Sequence, residues 1–513
     1  MRLSPPRLSP KVLKIIELLE AGGAKDVLIV GGFVRDALLN VASKDVDIEV
    51  YGLSYTQIRD ILSPSFHVDI VGQSFGVMKV GSDVDVALPR RESKNGVGHK
   101  GFSVETNPDV TPREAFGRRD FTVNAIGLRR DGSLCDPFDG VGDMRRKILR
   151  APGPAFKDDP LRVLRGMQFA ARFGFQMDAQ TVQYCREVFN EFTTLSPERV
   201  YGEWEKWALK GVYPDAGLDV LRETGWIDAF PELKALVGCA QNPKWHPEGD
   251  VWTHTKAVCR EAAQAVRAFE PKLTDEERAA VMFAALAHDF GKTEASFVDE
   301  NGDIRSPGHA KASAALARAF MDRMRAPLKL TEMVGNLVYD HMAASAKPSL
   351  RVVRRLAKRL EPANVQLWAL LCRSDALGCG APERYVPTVD YAIDAETEFA
   401  AEPTLNLALN PAQPLESQLP THAEIADVLK NRQIRFKADV WLDLAARMEI
   451  NAEGPKSLVQ GRDLIPLGVK PGPAMGEILR QAFEAQLDGE FATLCNVVFG
   501  EVNGTHSAGS EST

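Results

Sequence analysis

The feature that most constrains the fold is a short apolar strand that runs into two glycines and then into a helix, with a charged strand close behind. Residues 27–30 are apolar and mostly β-branched, Gly31 and Gly32 interrupt them, and a helical pattern follows. In residues 45–50, Asp and Glu alternate with Val and Ile, which is typical of a half-buried strand. This alternation of strands and helices predicts a mixed-sheet unit through about residue 145.

Two aspartates on the charged strand are candidate catalytic metal ligands. Asp45 and Asp47 are two positions apart, so a strand presents both on one face, roughly 7 Å apart. Like charges held so close are unfavourable unless a cation lies between them, and carboxylates suit Mg²⁺ that also holds substrate phosphates. Asp85 can approach from a neighbouring strand as a third carboxylate. Taken alone, such a pair is more typical of a solvated strand face.

The glycines upstream of this pair form a candidate phosphate site. Gly31 and Gly32 let backbone N–H groups approach phosphate oxygens closely, and Arg35 lies one turn into the following helix. The G-x-G-x-x-G pattern of dinucleotide-binding folds is absent here. A phosphate-binding turn followed by paired carboxylates predicts two-metal phosphoryl or nucleotidyl transfer.

The rest of the chain carries a helical pattern. From about Asp158 the strand signals fade, so the predicted class is α+β, a mixed-sheet head followed by all-helical parts. The segment 92–108 is predicted to be a mobile loop, and the Pro-rich segment 381–420 a linker or insertion. Composition shifts divide the chain into five parts: residues 1–145, 146–240, 241–400, 401–503 and a disordered tail, 504–513.

Composition and charge narrow the functional classes. No apolar run approaches the roughly 20 residues of a membrane span, so no membrane partner is expected. The seven scattered cysteines form no C-x-x-C pair and the N-terminus carries no secretory signal, which predicts a cytoplasmic protein. The net charge of −8 hides eight Lys and Arg against three Asp between residues 143 and 172. This local basic excess leaves nucleic-acid binding open.

Four segments together resemble the head of the bacterial tRNA nucleotidyltransferase and poly(A) polymerase family: GGFVRD at 31–36, KDVDIEVYG at 44–52, RRDFTVNAI at 118–126 and DPFDG at 136–140. Their order and spacing match through about residue 220. The resemblance implies a polymerase-β-like head, an RNA- and nucleotide-binding neck, and a helical C-terminal body. It further implies Mg²⁺ as cofactor, tRNA as acceptor, and CTP and ATP as donors. Arg119, Asp120 and Asn124 would contact the ribose and phosphates of the incoming nucleotide.

The start of the first long helix carries a candidate base-reading pair. Asp159 and Arg162 are three apart and would share a helix face. A carboxylate that only accepts and a guanidinium that only donates match the pairing edges of cytosine and adenine. The resembling family has Glu-Asp-x-x-Arg here, whereas Asp158 replaces the Glu. A helix cap with an ion pair is the structural alternative. Arg165 is assigned to the nucleotide site, and Arg162, Arg165 and Arg172 could hold a tRNA backbone or form a solvated face.

Five of the nine histidines fall between residues 246 and 341. Each could be an ordinary packed helical histidine. Together with two aspartates they resemble the HD metal-dependent phosphohydrolase superfamily, and the implied metal ligands are His254, His288, Asp289, His309, His341 and Asp375. Imidazole and carboxylate ligands suit Ni²⁺, Mn²⁺ or another transition metal better than Mg²⁺ alone. The resemblance implies phosphatase or cyclic phosphodiesterase activity over residues 241–400.

The sequence therefore predicts a tRNA nucleotidyltransferase that adds CCA without a template and carries a phosphohydrolase domain. Poly(A) polymerases and enzymes that add only CC or only A share the head motifs and stay open as alternatives. A protein of another class, an HD phosphohydrolase whose head only binds RNA, would not need Asp45 and Asp47, and both are present. The oligomeric state is left open.

Overall fold

The computed structural model describes residues 8–41, 45–69, 76–94, 102–107, 109–379, 385–386 and 435–489. Contacts within the chain divide it into two units, Met1–Pro231 and Glu232–Thr513. The finer five-part division stays a prediction. The predicted linker at 381–420, apart from Tyr385–Val386, and the predicted tail at 504–513 lie outside the described residues.

The first unit opens with a mixed seven-stranded sheet and a separate strand pair. Its strands are β1 (Asp26–Val30), β2 (Val46–Tyr51), β3 (Val68–Asp69), β4 (Val77–Val80), β5 (Val84–Ala87), β6 (Arg90–Lys94), β7 (Phe102–Thr106), β8 (Gly127–Leu128) and β9 (Leu134–Cys135). The sheet order is β3-β4-β5-β2-β1-β8-β9. Only the β2–β5 pair is parallel; the other neighbours in this sheet are antiparallel. The predicted mixed sheet is confirmed.

Short helices cover this sheet: α1 (Pro10–Ala21), α2 (Gly32–Leu38), α3 (Tyr55–Leu62), α4 (Pro112–Gly117) and α5 (Gly140–Arg146). Helix α1 begins where the Ser9 side chain accepts from the Val12 backbone N–H, with Pro10 in the first turn. It buries Val12, Ile15, Ile16 and Leu19, the spacing of one helix face. The predicted order of helix, strand, glycine turn and helix is thus confirmed.

One prediction for the first unit is wrong. The segment predicted to be a mobile loop, 92–108, contributes most of an antiparallel pair in which β6 pairs with β7 from Arg90–Thr106 to Lys94–Phe102. The strand sequence RRESK contains no apolar residue, so it lacks the alternation by which strands are recognised.

The neck that follows is built from four helices, α6 (Leu161–Phe173), α7 (Ala179–Glu187), α8 (Pro197–Lys210) and α9 (Pro214–Thr224), with one short parallel strand pair, β10 (Ile148–Leu149) and β11 (Gln176–Met177). Aromatic rings fill its core. Trp204 packs edge-on against Trp207 at 5.3 Å and against Phe230 at 5.2 Å between ring centroids. Phe121 of the head packs edge-on against Phe169 of α6 at 5.8 Å, so head and neck share a core.

Helix α10 (Pro231–Leu236) lies at the boundary, and the second unit is mainly helical beyond it. Its helices are α11 (Val251–Ala268), α12 (Asp275–Ala287), α13 (Lys292–Ala295), α14 (His309–Arg323), α15 (Leu328–Tyr339), α16 (Leu350–Leu360), α17 (Val365–Gly378), α18 (Lys437–Arg447), α19 (Gly461–Leu464) and α20 (Pro473–Asp488). Two strand pairs accompany them: β12 (Phe297–Val298) with β13 (Ile304–Arg305), and β14 (Tyr385–Val386) with β15 (Arg435–Phe436). The α+β class is confirmed. No described helix has both the length and the apolar character needed to cross a membrane.

Candidate functional site

The aspartates of the head meet across the parallel pair of strands. Asp47 on β2 lies directly opposite Asp85 on β5, and Asp47 also faces Val30 at the end of β1. Both carboxylates line a pocket of about 270 Å³ whose other walls are Val30, Ile48, Glu49, Val77, Ala87, Leu88, Arg90, Arg118 and Arg119. The predicted approach of Asp85 from a neighbouring strand is therefore confirmed. We call this region the carboxylate pocket.

The electrostatics of the carboxylate pocket suit a cation. Partial desolvation raises the pKa of Asp47; Arg119 opposes this, and the charges of Asp85 and Asp45 add to it. Asp45 is exposed and directly precedes β2. Lys79 on β4 donates to Asp85 at 3.1 Å. Closely spaced carboxylates beside an open pocket are a donor set that fits hard, oxygen-preferring divalent ions.

Gly31 brings the turn after β1 against the carboxylate pocket. Its φ of +74° lies in the left-handed region that favours glycine. A Cβ added there would lie 3.2 Å from Asp47 Oδ2 and 3.5 Å from Arg119 Nη1. The backbone thus approaches the Asp47 carboxylate more closely than a side chain would easily permit.

Glu49 is a pocket residue that the sequence reasoning missed. It is buried, and its carboxylate accepts from Arg119 Nη2 at 2.7 Å and from the Tyr51 hydroxyl at 2.8 Å. Arg118 Nη2 lies 3.5 Å from the same carboxylate. Glu49 thereby holds two arginines against the pocket wall. The available signal was its spacing, two residues after Asp47 on one strand face.

The predicted nucleotide-contacting residues form one buried network. Asn124 donates to Asp120 at 2.8 Å and accepts from Arg35 at 2.6 Å, while Arg165 donates to Asp120 at 2.8 Å. Burial opposes ionisation of Asp120, but Arg165 and Asn124 hold its pKa below the usual value. Arg35 also donates to Asp36 at 2.8 Å. The structure therefore brings these predicted residues together, with their polar groups already satisfied.

The predicted base-reading pair is not assembled. Asp159 precedes α6 with extended dihedrals, whereas Arg162 lies within the helix, so the two do not share a helix face. Arg162 is 9% exposed and donates to the carbonyls of Ala155, at 2.5 Å, and Arg118, at 2.7 Å. Asp159 is paired with Arg199 at 3.0 Å. An ion pair between Asp159 and Arg162 is absent, but Asp159 Oδ1 accepts from the Leu161 backbone N–H at 3.1 Å, so the capping part of the structural alternative is present.

The three arginines of α6 each have a partner within the protein, and their predicted contact with a tRNA backbone stays a prediction. Arg162 is held by backbone carbonyls, Arg165 pairs with Asp120 at 2.7 Å and Arg172 pairs with Asp36 at 3.0 Å. Three arginines on one helix therefore point to three different partners. Asp120 and Asp36 of the head hold Arg165 and Arg172, and the spacing of residues along the sequence does not reveal these contacts.

The histidine-rich part of the second unit converges on one place, as predicted. The six residues of this cluster, called the His–Asp cluster here, are His254, His288, Asp289, His309, His341 and Asp375. Helices α11, α14 and α17 carry His254, His309 and Asp375. His288 and Asp289 directly follow α12, and His341 lies two residues after the end of α15. All but Asp375, which is 14% exposed in its side chain, are buried.

Asp289 divides the His–Asp cluster into two halves. Its Oδ2 lies 3.2 Å from His288 Nε2 and 3.5 Å from His254 Nε2. Its Oδ1 lies 3.4 Å from His309 Nε2 and 3.9 Å from His341 Nε2. Asp375 Oδ1 completes the first half at 3.2 Å from His254 Nε2. One carboxylate between two sets of imidazole nitrogens is a mixed nitrogen and oxygen donor set that would suit divalent metal ions.

The ring orientations in the cluster favour metal binding through Nε2. The Nδ1 atoms of His288, His309 and His341 lie 2.7 to 2.9 Å from the backbone carbonyls of Ala285, Ser306 and Val338. A carbonyl can only accept, so each Nδ1 carries the proton and each Nε2 offers a lone pair to the cluster. Burial lowers the pKa of His341 to about 4, which keeps this ring neutral near pH 7.

Neighbouring charges in the cluster stabilise the ionised forms of Asp289 and His254 despite burial. Burial opposes ionisation of Asp289, but Lys292, at 2.7 Å, and His288 hold its pKa well below the usual value. Burial would lower the pKa of His254, yet its contacts with Asp375, Cys379 and Glu248 raise it well above the usual value. A divalent cation bound by Nε2 of His254 would displace a proton there.

Four further residues beside the cluster were missed. Lys292 donates to Gln241 at 2.6 Å, and its Nζ lies 3.3 Å from His246 Nε2. Glu248 Oε1 lies 2.9 Å from His246 Nδ1 and 2.8 Å from His254 Nδ1. Cys379 Sγ lies 3.7 Å from both of these nitrogens. Burial would raise the pKa of Glu248, but the imidazoles of His246 and His254 lower it to about 2. The signal available was the H-P-E sequence at 246–248 just before α11.

Three known domain families match this chain, in the same order as the head, the neck and the histidine-rich helices of the structure. The poly A polymerase head domain matches residues 27–150. A domain described as the probable RNA and SrmB-binding site of polymerase A matches residues 174–236. The HD domain matches residues 251–377, which include all six residues of the His–Asp cluster.

Individual relatives agree with these matches. The chain is 36% identical over 365 residues to the multifunctional CCA protein of Nitrosococcus oceani, covering 69% of this chain and 85% of that protein. A CCA-adding enzyme in an apo form shares the fold with a TM-score of 0.56 at 18% identity, over 97% of each chain. The Thermotoga maritima CCA-adding enzyme complexed with tRNA gives 0.53 at 18% identity, over 98% and 97%.

The buried position of Glu49 generates a stability prediction. Glu49→Ala should lower the free energy of unfolding of the first unit by about 3 kcal/mol, because it leaves two arginines, whose side chains are 17% and 18% exposed, without their buried carboxylate. Denaturant unfolding followed by circular dichroism measures this. Glu17→Ala is the control, since Glu17 is half exposed and pairs with Lys14 on the surface of α1. Equal stability of the two variants would contradict the assigned role of Glu49.

Proposed function

The chain belongs to the family of multifunctional CCA proteins, and on this premise we propose that its head completes the CCA end of tRNA from CTP and ATP while its second unit hydrolyses phosphate esters. The observation that carries the first half is the register of Asp47 with Asp85 beside the close backbone approach of Gly31. The observation that carries the second is the convergence of four imidazoles on the two oxygens of Asp289.

Both activities depend on divalent metal, and the donor sets suggest which ions. Asp45 and Asp47, with Asp85 beside them, would hold Mg²⁺ because they offer only oxygen. When bound, Mg²⁺ supplies charge stabilisation to the triphosphate and to the attacking 3′ oxygen of the tRNA. The His–Asp cluster mixes nitrogen with oxygen, which suits Ni²⁺, Mn²⁺ or another transition metal. The cytoplasmic location expected from the sequence stays a prediction.

The head residues would bind the nucleotide by rearranging contacts that they already make to one another. We assign Gly31 and Gly32 to the backbone that approaches the triphosphate closely. We assign Arg119 to pairing with the negative charge of the triphosphate. Arg119 is near enough, since its Nη1 lies 3.3 Å from the Asn124 carbonyl at the same wall of the pocket. Asp120 and Asn124 would orient the ribose, while Arg35 and Arg165 hold those two side chains in place. Preformed partners reduce the entropy lost on binding.

Base selection would require Asp159 and Arg162 to exchange their partners. Arg162 would have to leave the carbonyls of Ala155 and Arg118, and Asp159 would have to leave Arg199. The exposed amine donor and ring acceptor of cytosine or adenine could then replace those contacts. Uracil and guanine present a carbonyl to the carboxylate and would leave it unpaired, which provides the discrimination.

The second unit would act on a phosphate ester at the His–Asp cluster. A transition metal held there supplies Lewis acidity and lowers the pKa of water. Asp289 would join the two halves of the cluster, and Lys292 would balance its charge at 2.7 Å. The backbone carbonyls behind His288, His309 and His341 fix the imidazole tautomers before any ion arrives.

The direct test of the first activity uses purified protein, tRNA lacking CCA, and each nucleoside triphosphate singly and then CTP with ATP. Asp47→Asn should lower incorporation by at least about 10²-fold, since a catalytic metal contributes several kcal/mol to the barrier. Asp83→Asn is the matched control, because Asp83 is an exposed aspartate that pairs with Lys11. Incorporation by Asp47→Asn at the rate of Asp83→Asn would rule out this site. Growth of long A tracts would identify a poly(A) polymerase instead.

The base-reading role of Asp159 can be separated from its structural role. Asp159→Asn should reduce the preference for CTP over UTP by about tenfold or more, because the amide offers a donor where only acceptors were present. Arg199→Ala breaks the same ion pair but keeps the carboxylate, so its preference should stay that of the parent. Steady-state kcat/KM for each nucleotide measures both. Equal loss of preference in the two variants would mean that Asp159 only anchors the start of α6.

The two activities should be separable. The double substitution His288→Ala with Asp289→Ala should remove Ni²⁺- or Mn²⁺-dependent hydrolysis of a generic phosphoester and of a 2′,3′-cyclic nucleotide, because it deletes ligands from both halves of the cluster. Mg²⁺-dependent CCA addition should stay close to that of the parent. Both rates are measured on one preparation. Undiminished hydrolysis would make these residues packing residues, whereas loss of both activities in a folded protein would make the sites interdependent.

A further inference from the structure

One of the four imidazoles in the His–Asp cluster is oriented differently from the other three. His288, His309 and His341 each direct Nδ1 at a neutral backbone carbonyl. His254 instead directs Nδ1 at the carboxylate of Glu248, at 2.8 Å. An ionised acceptor gives a shorter, stronger hydrogen bond than a carbonyl and makes the opposite ring nitrogen a better donor to a metal. The half of the cluster that contains His254 therefore has a tuning group that the other half lacks.

Glu248 is committed to this position by its surroundings. Its side chain is only 13% exposed, and Oε1 also lies 2.9 Å from His246 Nδ1. Its Oε2 is buried and has no hydrogen-bond partner among the described residues. A buried carboxylate with one unsatisfied oxygen is costly, so the contacts at Oε1 must compensate for it. Such a cost is typical of a functional position rather than of packing.

A chain of hydrogen bonds returns from Glu248 to the metal ligands. Lys292 can only donate, so His246 Nε2 accepts from it at 3.3 Å and His246 Nδ1 carries the proton toward Glu248. Lys292 also binds Asp289 Oδ2 at 2.7 Å. The path from Asp289 through Lys292, His246 and Glu248 to His254 thus runs around one half of the cluster. Each donor in it faces an acceptor.

The same donor directions argue against a separate metal ion at this place. Donor atoms of His246, Glu248, His254 and Cys379 lie within 4.8 Å of one another, as the ligands of an ion would. However, the Nδ1 atoms of both histidines carry protons that point at Glu248 Oε1. An imidazole nitrogen binds a metal only through a free lone pair. The group is therefore better suited to orienting His254 than to holding an ion.

We propose that Glu248 is a positioning residue of the His–Asp cluster, which fixes the tautomer and ring orientation of His254, and that His246 and Lys292 tie Glu248 to Asp289. This inference rests on the proposed hydrolytic function of the second unit. It assigns no contact with substrate to Glu248. Its consequence is that the affinity for the ion at His254, His288 and Asp375 depends on a residue that is not a ligand.

The test compares Glu248→Gln and Glu248→Ala in the full-length protein after removal of metal. Calorimetric titration with Mn²⁺ should show Kd for one class of site weakened about 10- to 100-fold in both variants, the range for loss of a partner behind a ligand histidine. Hydrolysis of a generic phosphoester should lose kcat with little change in KM, and excess Mn²⁺ should restore the rate of Glu248→Gln. CCA addition should be unchanged. Glu232→Gln is the control, since Glu232 is buried and paired with Arg323.

Two results would overturn the proposal alone. The first is parental Mn²⁺ affinity in both Glu248 variants while the parent protein binds Mn²⁺ and hydrolyses the ester. The second is a parent protein that binds three equivalents of metal, of which Glu248→Ala and Cys379→Ala each lose one. That result would make His246, Glu248, His254 and Cys379 a third metal site. A parent protein that neither binds transition metal nor hydrolyses phosphoesters would instead overturn the proposed function of the second unit, and this inference with it.

Discussion

A buried network of guanidinium, carboxylate and amide groups holds the glycine turn of the head to the first long helix of the neck. Arg35 leads from the turn to Asn124, Asn124 to Asp120, and Asp120 to Arg165 on α6. The ring of Phe169 lies under both Arg35, at 5.0 Å, and Arg165, at 5.4 Å. Removing one member leaves a buried charge uncompensated. The residues proposed to bind the nucleotide are thus also the residues that keep head and neck together.

Local pattern predicted the head well because its elements follow their own periodicity. Residues 27–30 and 45–50 form strands β1 and β2 nearly as expected, and Asp85 faces Asp47 across the neighbouring strand. The sequence pattern did not predict side-chain positions that are set by hydrogen-bond acceptors distant in the sequence. Arg162 is held by the carbonyls of Ala155 and Arg118, which no spacing rule reveals. The β6–β7 pair was missed because its first strand is wholly polar and backbone pairing, rather than burial, defines it.

The His–Asp cluster shows a similar division between what residue type reveals and what the fold adds. Its six members were identifiable from histidine and aspartate at helix positions together with the family resemblance. The supporting residues were not, because a glutamate or a lysine near a helix end is most often a solvated charge. Glu248 and Lys292 acquire their roles only through contacts with His254 and Asp289, 6 residues and 3 residues away along the chain.

Because Asp289 lies between two sets of imidazoles, it would couple the occupancies of the two halves if each held an ion. An ion at Oδ2 would orient the carboxylate and share that oxygen with the ammonium of Lys292, which lies 2.7 Å from it. It would also withdraw electron density from Oδ1, the oxygen that His309 and His341 would share in holding a second ion. Preorientation favours the second ion, whereas charge repulsion and the weakened oxygen oppose it. A protein with one ion bound would therefore differ chemically from a protein with two. The cellular concentration of metal, and not substrate alone, would then determine the fraction of the protein that can hydrolyse a phosphate ester.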